Sequence, residues 1–168
     1  MTGMTAGRDE ISIAQARTPA HIADARMLCR LYLDWLAVDH GIRLDFQGVE
    51  EELRDLPGSY APPAGEFLIA YDGLGEPVGC IAVRPFHERI CEIKRLFLLP
   101  AARGNGLGHM LCGSILTEAR RLGYARAVLD TGGFMDAAQR VYEQAGFTSI
   151  PPYYDNPLPG IRYFGRDL

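Results

Sequence analysis

Leu98-Leu99-Pro100-Ala101-Ala102-Arg103-Gly104-Asn105-Gly106-Leu107-Gly108 is the stretch that decides the fold. An apolar strand runs into it, Pro100 stops the strand, and an amphipathic segment leaves from Gly106. Glycine lets the backbone take positive φ and come close to a ligand. The first N–H groups of a helix have no intrahelical partner and carry the positive end of its dipole, so a pyrophosphate fits at such a turn. Arg103 adds a charge-assisted contact. Two nucleotide motifs do not match. A P-loop needs Gly-Lys-Ser/Thr at its end, and here Gly108 is followed by His109. The dinucleotide fingerprint needs G-x-G-x-x-G, whereas these glycines stand at 104, 106 and 108, in mid-chain. On these residues alone, a plain strand-to-helix turn without a ligand stays open.

Downstream of the turn, Gly106 to Leu122 reads as a helix with Leu107, Met110, Leu111, Ile115, Ala119 and Leu122 as its apolar stripe. Ala125 to Leu129 is a strand, Met135 to Gln144 a helix, and Phe147 to Ile150 and Ile161 to Leu168 are strands joined by the loop Pro151 to Gly160. Upstream, Ile90 to Leu99 is a strand and Glu66 to Tyr71 pairs with Val78 to Pro85 through the turn Asp72–Glu76. Asp45 to Leu56 is a short acidic helix ended by Pro57-Gly58. Ile11 to Arg17 is a first strand, and Thr18-Pro19 caps a helix whose buried face is expected at Ile22, Met27, Leu31, Trp35 and Val38. The strand–helix–strand from Ile90 to Leu129 is a crossover and requires a parallel pair; the strands before it form an antiparallel meander. The expected fold is α/β of the mixed α+β kind: one domain over 11–168, a mixed sheet flanked by helices, behind a frayed tail from Met1 to Glu10.

Composition narrows the function. A chain of 168 residues with 48% hydrophobic and 23% charged residues can bury a core and is not disordered. A net charge of −4 argues against nucleic-acid partners and anionic membranes. No apolar run is long enough to span a membrane, the first residues lack the apolar core of a signal peptide, and the chain is expected in the cytoplasm. Cys29, Cys80, Cys91 and Cys112 sit in apolar stretches without a C-x-x-C, as buried thiols do, and the histidines show no metal-ligand spacing, so no metal is expected.

Arg103-Gly104-Asn105-Gly106-Leu107-Gly108 resembles the R/Q-x-x-G-x-G/A coenzyme A motif of the GCN5-related N-acetyltransferases (GNAT). Ala138-Gln139-Arg140-Val141-Tyr142-Glu143-Gln144-Ala145-Gly146-Phe147 resembles their A-x-x-L-Y-x-x-x-G-F segment. The element order fits that family from Ile11 to Leu168, by architecture alone before Val78. Met135 departs from the pattern, standing where members often carry Asn; Asp136 is the weak substitute.

The resemblance implies transfer of an acetyl group from acetyl-coenzyme A to a primary amine, with no metal. It implies a strand splayed from its parallel neighbour, whose free backbone groups at Leu96, Phe97 and Leu98 hold the pantetheine arm, the Leu98 N–H lying nearest the acetyl oxygen. Tyr142 matches the tyrosine that protonates the departing thiolate; packing into the core is its other reading. Glu92 lies on the strand six residues before Leu98, an even spacing that puts both on one face, and is a candidate base. Its other reading is an ion pair with Lys94 or Arg95.

The acceptor clues conflict. Asp45, Glu50, Glu51, Glu52 and Asp55 suit a polyamine or a lysine side chain, or are a solvated face. Arg84, Arg89, Lys94 and Arg95 suit a substrate carboxylate, or are surface charge. Pro151-Pro152-Tyr153-Tyr154-Asp155-Asn156-Pro157 is a candidate pocket wall. Rival readings are a non-catalytic acyl-coenzyme A sensor, an acyltransferase using another acyl-coenzyme A, and an unrelated α/β interaction protein. Bulky Phe97 and Leu98 favour a small acyl group. A homodimer is compatible with the resemblance.

Overall fold

A computed structural model describes residues 10–44 and 48–168. The expected tail and the start of the acidic helix, with Asp45, lie outside the described residues, apart from Glu10, which has no regular structure. The elements run β1 (Ser12–Gln15), α1 (Pro19–His40), α2 (Val49–Asp55), β2 (Glu66–Tyr71), β3 (Pro77–His87), β4 (Ile90–Leu98), α3 (Leu107–Arg121), β5 (Arg126–Thr131), α4 (Asp136–Gln144), β6 (Thr148–Ser149) and β7 (Arg162–Asp167). One seven-stranded sheet has the order β1-β2-β3-β4-β5-β7-β6. All its pairings are antiparallel except β4–β5, the parallel pair that the crossover requires.

Local sequence explains the ends of α1. The Thr18 side chain accepts from His21 N–H, the His21 ring accepts from the Thr18 N–H, and Pro19 fills the first turn. Gly41, at φ +64°, closes the helix in the left-handed conformation.

The sheet is covered on both faces. On one, Leu107, Leu111, Cys112, Ile115 and Ala119 of α3 pack on Leu68, Ile81, Val83, Cys91, Ile93 and Leu129. On the other, Ala25, Leu28 and Cys29 of α1 and Val49 and Leu53 of α2 pack on Phe67, Ile69, Cys80, Ala82 and Phe97. The buried stripe of α1 is therefore Ala25, Leu28, Cys29 and Leu36, while Met27, Leu31 and Val38 are exposed. That corrects the expected face. Apolar residues surround much of α1, so periodicity alone does not select the side that meets the sheet. Met110 of α3 also points to solvent. All four cysteines are buried free thiols.

Two irregularities in β4 shape what lies beside it. Ala82 pairs with Lys94 and Cys80 with Phe97, so Ile81 stands opposite both Arg95 and Leu96, a β-bulge. Arg95 sits at φ +62°, a conformation that costs a non-glycine residue on the order of 1 kcal/mol or more. The buried guanidinium pays for this by donating from Nε and Nη2 to Glu52 Oε2 of α2 at 2.9 and 2.7 Å. The second irregularity is that β4 and β5 pair only from Ile90/Arg126 to Glu92/Val128; beyond that they part, although β4 continues to Leu98 and β5 to Thr131.

Candidate active site

The Gly-rich turn enters α3 through two left-handed glycines, Gly104 at φ +84° and Gly106 at φ +80°. A Cβ at either position would meet no heavy atom within 4 Å. The backbone conformation, not crowding, therefore requires glycine there, and the space in front of the turn is open. Gly108 differs: its Cβ would lie 3.2 Å from Val141 Cγ2, so it sets the approach of α3 to α4.

That open space is a cleft of about 490 Å³. Leu96, Phe97 and Leu98 form one side, Arg103, Gly104, Gly106, Leu107 and Gly108 its end, and Asp136, Arg140 and Val141 of α4 the other side. Of the expected cofactor residues, Asn105 alone does not line the cleft; it is exposed on the turn. Leu99 N–H donates to Val78 O at 2.9 Å, so strand alternation turns the Phe97 N–H toward β3 as well and aims the Leu96 and Leu98 N–H groups at the parted edge. Phe97 thus offers the cleft its ring rather than its backbone. Arg103 lies across this edge: its Nε donates to Leu98 O at 3.1 Å, and its guanidinium sits 5.2 Å from the Trp35 ring centre and 5.7 Å from that of Phe97.

Where β4 and β5 part there is a smaller pocket, about 70 Å³, lined by Lys94, Leu96, Asp130, Met135 and Tyr142 among others. Leu96 and Met135 belong to both spaces, so the pocket lies beside the cleft. Tyr142 is 6% exposed and packs edge-on to Phe147 at 5.8 Å, yet it also lines this pocket. Packing into the core therefore does not remove it from the pocket. Burial pushes its phenol pKa well up, which keeps the hydroxyl protonated as a donor.

A third space of about 510 Å³ adjoins on the far side, lined by Arg84, Phe86, Glu92, Lys94, Tyr153 and Tyr154. Lys94 is common to it and the small pocket. The three spaces follow one another along β4.

Glu92 faces this outer cavity, away from Leu98. The bulge at Arg95 inverts the alternation: Glu92 opposes Arg84 on the side of α1 and α2, whereas Leu98 packs with α3. The expected common face is thereby corrected. The ion-pair partner is Arg84, not Lys94 or Arg95: Arg84 Nε and Nη2 donate to Glu92 Oε1 at 2.9 and 2.8 Å, and the Tyr153 hydroxyl donates to Oε2 at 2.6 Å. Burial and the Glu92 carboxylate raise the Tyr153 pKa.

Asp130 was not singled out from the sequence. It accepts at Oδ2 from the Tyr154 hydroxyl and from Asn156 Nδ2, and its Oδ1 lies 3.6 Å from Lys94 Nζ. Its place at the end of a strand, where β4 and β5 part, was the available signal. Arg140 and Trp35 were likewise missed as cleft residues, because helix periodicity gives no information about what a helix face meets across a gap. The acidic face of α2 resolves into pairs: Glu52 turns inward to Arg95, Tyr60 and Arg84, and Glu50 meets Arg30. Among the described residues no group of three or more His, Cys, Asp or Glu is placed to hold a metal, and no helix is long and apolar enough to cross a membrane.

Residues 27–147 match the acetyltransferase (GNAT) family. The chain belongs to that family. An uncharacterised N-acetyltransferase of Schizosaccharomyces pombe is 40% identical over 159 residues, 94% of this chain and 95% of that one. One from Escherichia coli is 30% identical over 121 residues, 68% of this chain and 71% of that one. In fold, a GNAT acetyltransferase of Staphylococcus aureus superposes with a TM-score of 0.76 over 94% of this chain and 99% of that one, at 20% identity. An acetyltransferase of Salmonella typhimurium, solved with acetyl-coenzyme A, gives 0.64 over 94% and 93%, also at 20% identity. This GNAT protein is therefore an acyltransferase, and the reading as an unrelated interaction protein falls away.

Proposed function

We propose that this GNAT protein moves an acetyl group from acetyl-coenzyme A to a primary amine by direct attack. The carrying observation is the succession of the three spaces along β4, from the glycine turn past the small pocket to the outer cavity. The acetyl-coenzyme A bound in a fold neighbour supports the same donor. The pyrophosphate meets the N–H groups at Gly104 to Gly108, with Arg103 and Arg140 at hand. The pantetheine arm runs along Leu96 to Leu98, and the Leu98 N–H stabilises the thioester oxygen. The small pocket suits a short acyl chain, which favours acetyl over longer donors.

The amine nitrogen forms a bond to the carbonyl carbon, the C–S bond breaks, and the thiolate takes the Tyr142 proton. The amine proton goes to Glu92 through water, since Glu92 faces the outer cavity. A second assignment of the base is Asp130, favoured because it lines the small pocket itself. pH–rate profiles separate them: the basic residue is the one whose amide variant, Glu92→Gln or Asp130→Asn, loses rate most on the acid side of the optimum. We assign the reaction to the cytoplasm.

The test of the whole reading is calorimetry with acetyl-coenzyme A on wild type and on an Arg103→Glu, Gly106→Trp double variant. Micromolar binding that the variant loses is expected, followed by thiol release in an amine screen. A folded wild type that does not bind would refute donor and site together. Binding without turnover on any amine would leave the sensor reading instead.

A further inference from the structure

The charges around the outer cavity are almost all spent on one another. Arg95 is held by Glu52, Arg84 by Glu92, and the second oxygen of Glu92 by Tyr153. Asp130 Oδ2 is held by Tyr154 and Asn156. Among the buried charges here the exception is Lys94, the only lysine of the chain. Its side chain is 7% exposed, its nearest acidic oxygen is Asp130 Oδ1 at 3.6 Å, and that is beyond hydrogen-bond length. Among the described residues its Nζ closes no hydrogen bond. An ammonium has three donors, and leaving them unmet out of water is costly. Burial accordingly lowers its pKa.

Lys94 also stands at the junction of the small pocket and the outer cavity. A group with oxygen lone pairs arriving from outside meets it just before the position of the thioester. We infer that the acceptor is an amine with a carboxylate on the adjacent carbon, an α-amino acid or close analogue, and that Lys94 binds that carboxylate. The inference rests on the acetyl-transfer reading above. One carbon separates the two groups of such an acceptor. With its carboxylate on Lys94, its amine reaches past into the small pocket, and its side chain stays among Phe86, Tyr153 and Tyr154. A polyamine would instead place like charge beside Lys94. When the amine loses its proton, the acceptor becomes an anion that Lys94 stabilises.

The experiment follows acetyl-coenzyme A-dependent thiol release with a panel of α-amino acids, each beside its decarboxylated amine. Wild type, Lys94→Met and Lys94→Gln are compared, with calorimetry of acetyl-coenzyme A and thermal melting on each. Wild type should favour at least one acid over its partner amine by about 30-fold or more in kcat/KM, the size expected for a charged hydrogen bond. The Lys94 variants should fold, bind acetyl-coenzyme A as wild type does, and lose that preference through KM. Equal use of the decarboxylated amines, a preference that persists in Lys94→Gln, or no acid turned over by a protein that binds acetyl-coenzyme A would overturn the inference and leave the acetyl-transfer reading standing. Absence of acetyl-coenzyme A binding would remove both.

Discussion

Tyr153 donates its hydroxyl to Glu92 Oε2 at 2.6 Å, joining residues 61 apart in the chain. Through this bond the proline- and tyrosine-rich segment before β7 is fixed to β4 and becomes a wall of the outer cavity. Tyr153→Phe removes a hydrogen bond to a buried carboxylate and should lower stability by about 1 to 3 kcal/mol in urea unfolding. The KM for the amine should rise more than the KM for acetyl-coenzyme A. An equal rise in both would place the wall somewhere other than at the acceptor.

Gly106→Ala should destabilise the fold by about 1 to 2 kcal/mol, because φ is +80° and no atom crowds the new Cβ. Acetyl-coenzyme A affinity should fall alongside, since the methyl group stands where the turn meets the phosphates. Urea midpoints with calorimetry check both; unchanged stability would contradict the left-handed conformation.

Arg103→Ala should weaken acetyl-coenzyme A binding by about 10- to 100-fold, as loss of a charge-assisted contact does. Trp35, the only tryptophan, lies beneath the Arg103 guanidinium and lines the cleft, so its fluorescence should report the titration. An unaltered dissociation constant would place the pyrophosphate away from Arg103.

Tyr142→Phe should reduce kcat by about 100-fold while leaving acetyl-coenzyme A binding near wild type. The buried phenol is raised well above its ordinary pKa of 10.0, so the wild-type rate should show no loss from Tyr142 ionisation up to that pH. An unchanged kcat across pH would return Tyr142 to the core as a packing residue only.

Stability should fall as pH climbs from 9 to 11. Burial raises Cys112 from 9.0 to about 11, Cys91 from 9.0 to about 12 and Tyr32 from 10.0 to about 12. The unfolded chain therefore releases these protons first, and the folded state loses ground as pH rises through that window. Lys94 has the opposite sign: its pKa is lowered from 10.5, so its contribution improves as pH rises toward that value. One lysine does not offset three groups, and urea midpoints at pH 8 and pH 10.5 should show the net loss. A rising midpoint would refute this balance.

How far the sequence reached depends on whether each feature is local. The glycine turn was legible because Pro100, Gly104, Gly106 and the apolar run after it specify strand, turn and helix within a few residues. Tyr142 and the parallel pair were legible for the same reason, through the spacing of a helix motif and a crossover. The buried face of α1 was misread, with Met27 and Val38 exposed, because apolar residues occur around much of that helix.

Sequence by itself determined the order of elements, the glycine turn and the family. Only the tertiary structure decided the charge pairing around the outer cavity. The bulge at Arg95 turns Glu92 away from Leu98, and the left-handed arginine it contains is paired with Glu52 of a distant helix. Asp130 reaches the small pocket because β5 parts from β4, and Lys94 stands out only once the buried charges beside it have found their partners. Such pairings are set by the packing of separate elements across the sheet, and no spacing along the chain encodes them.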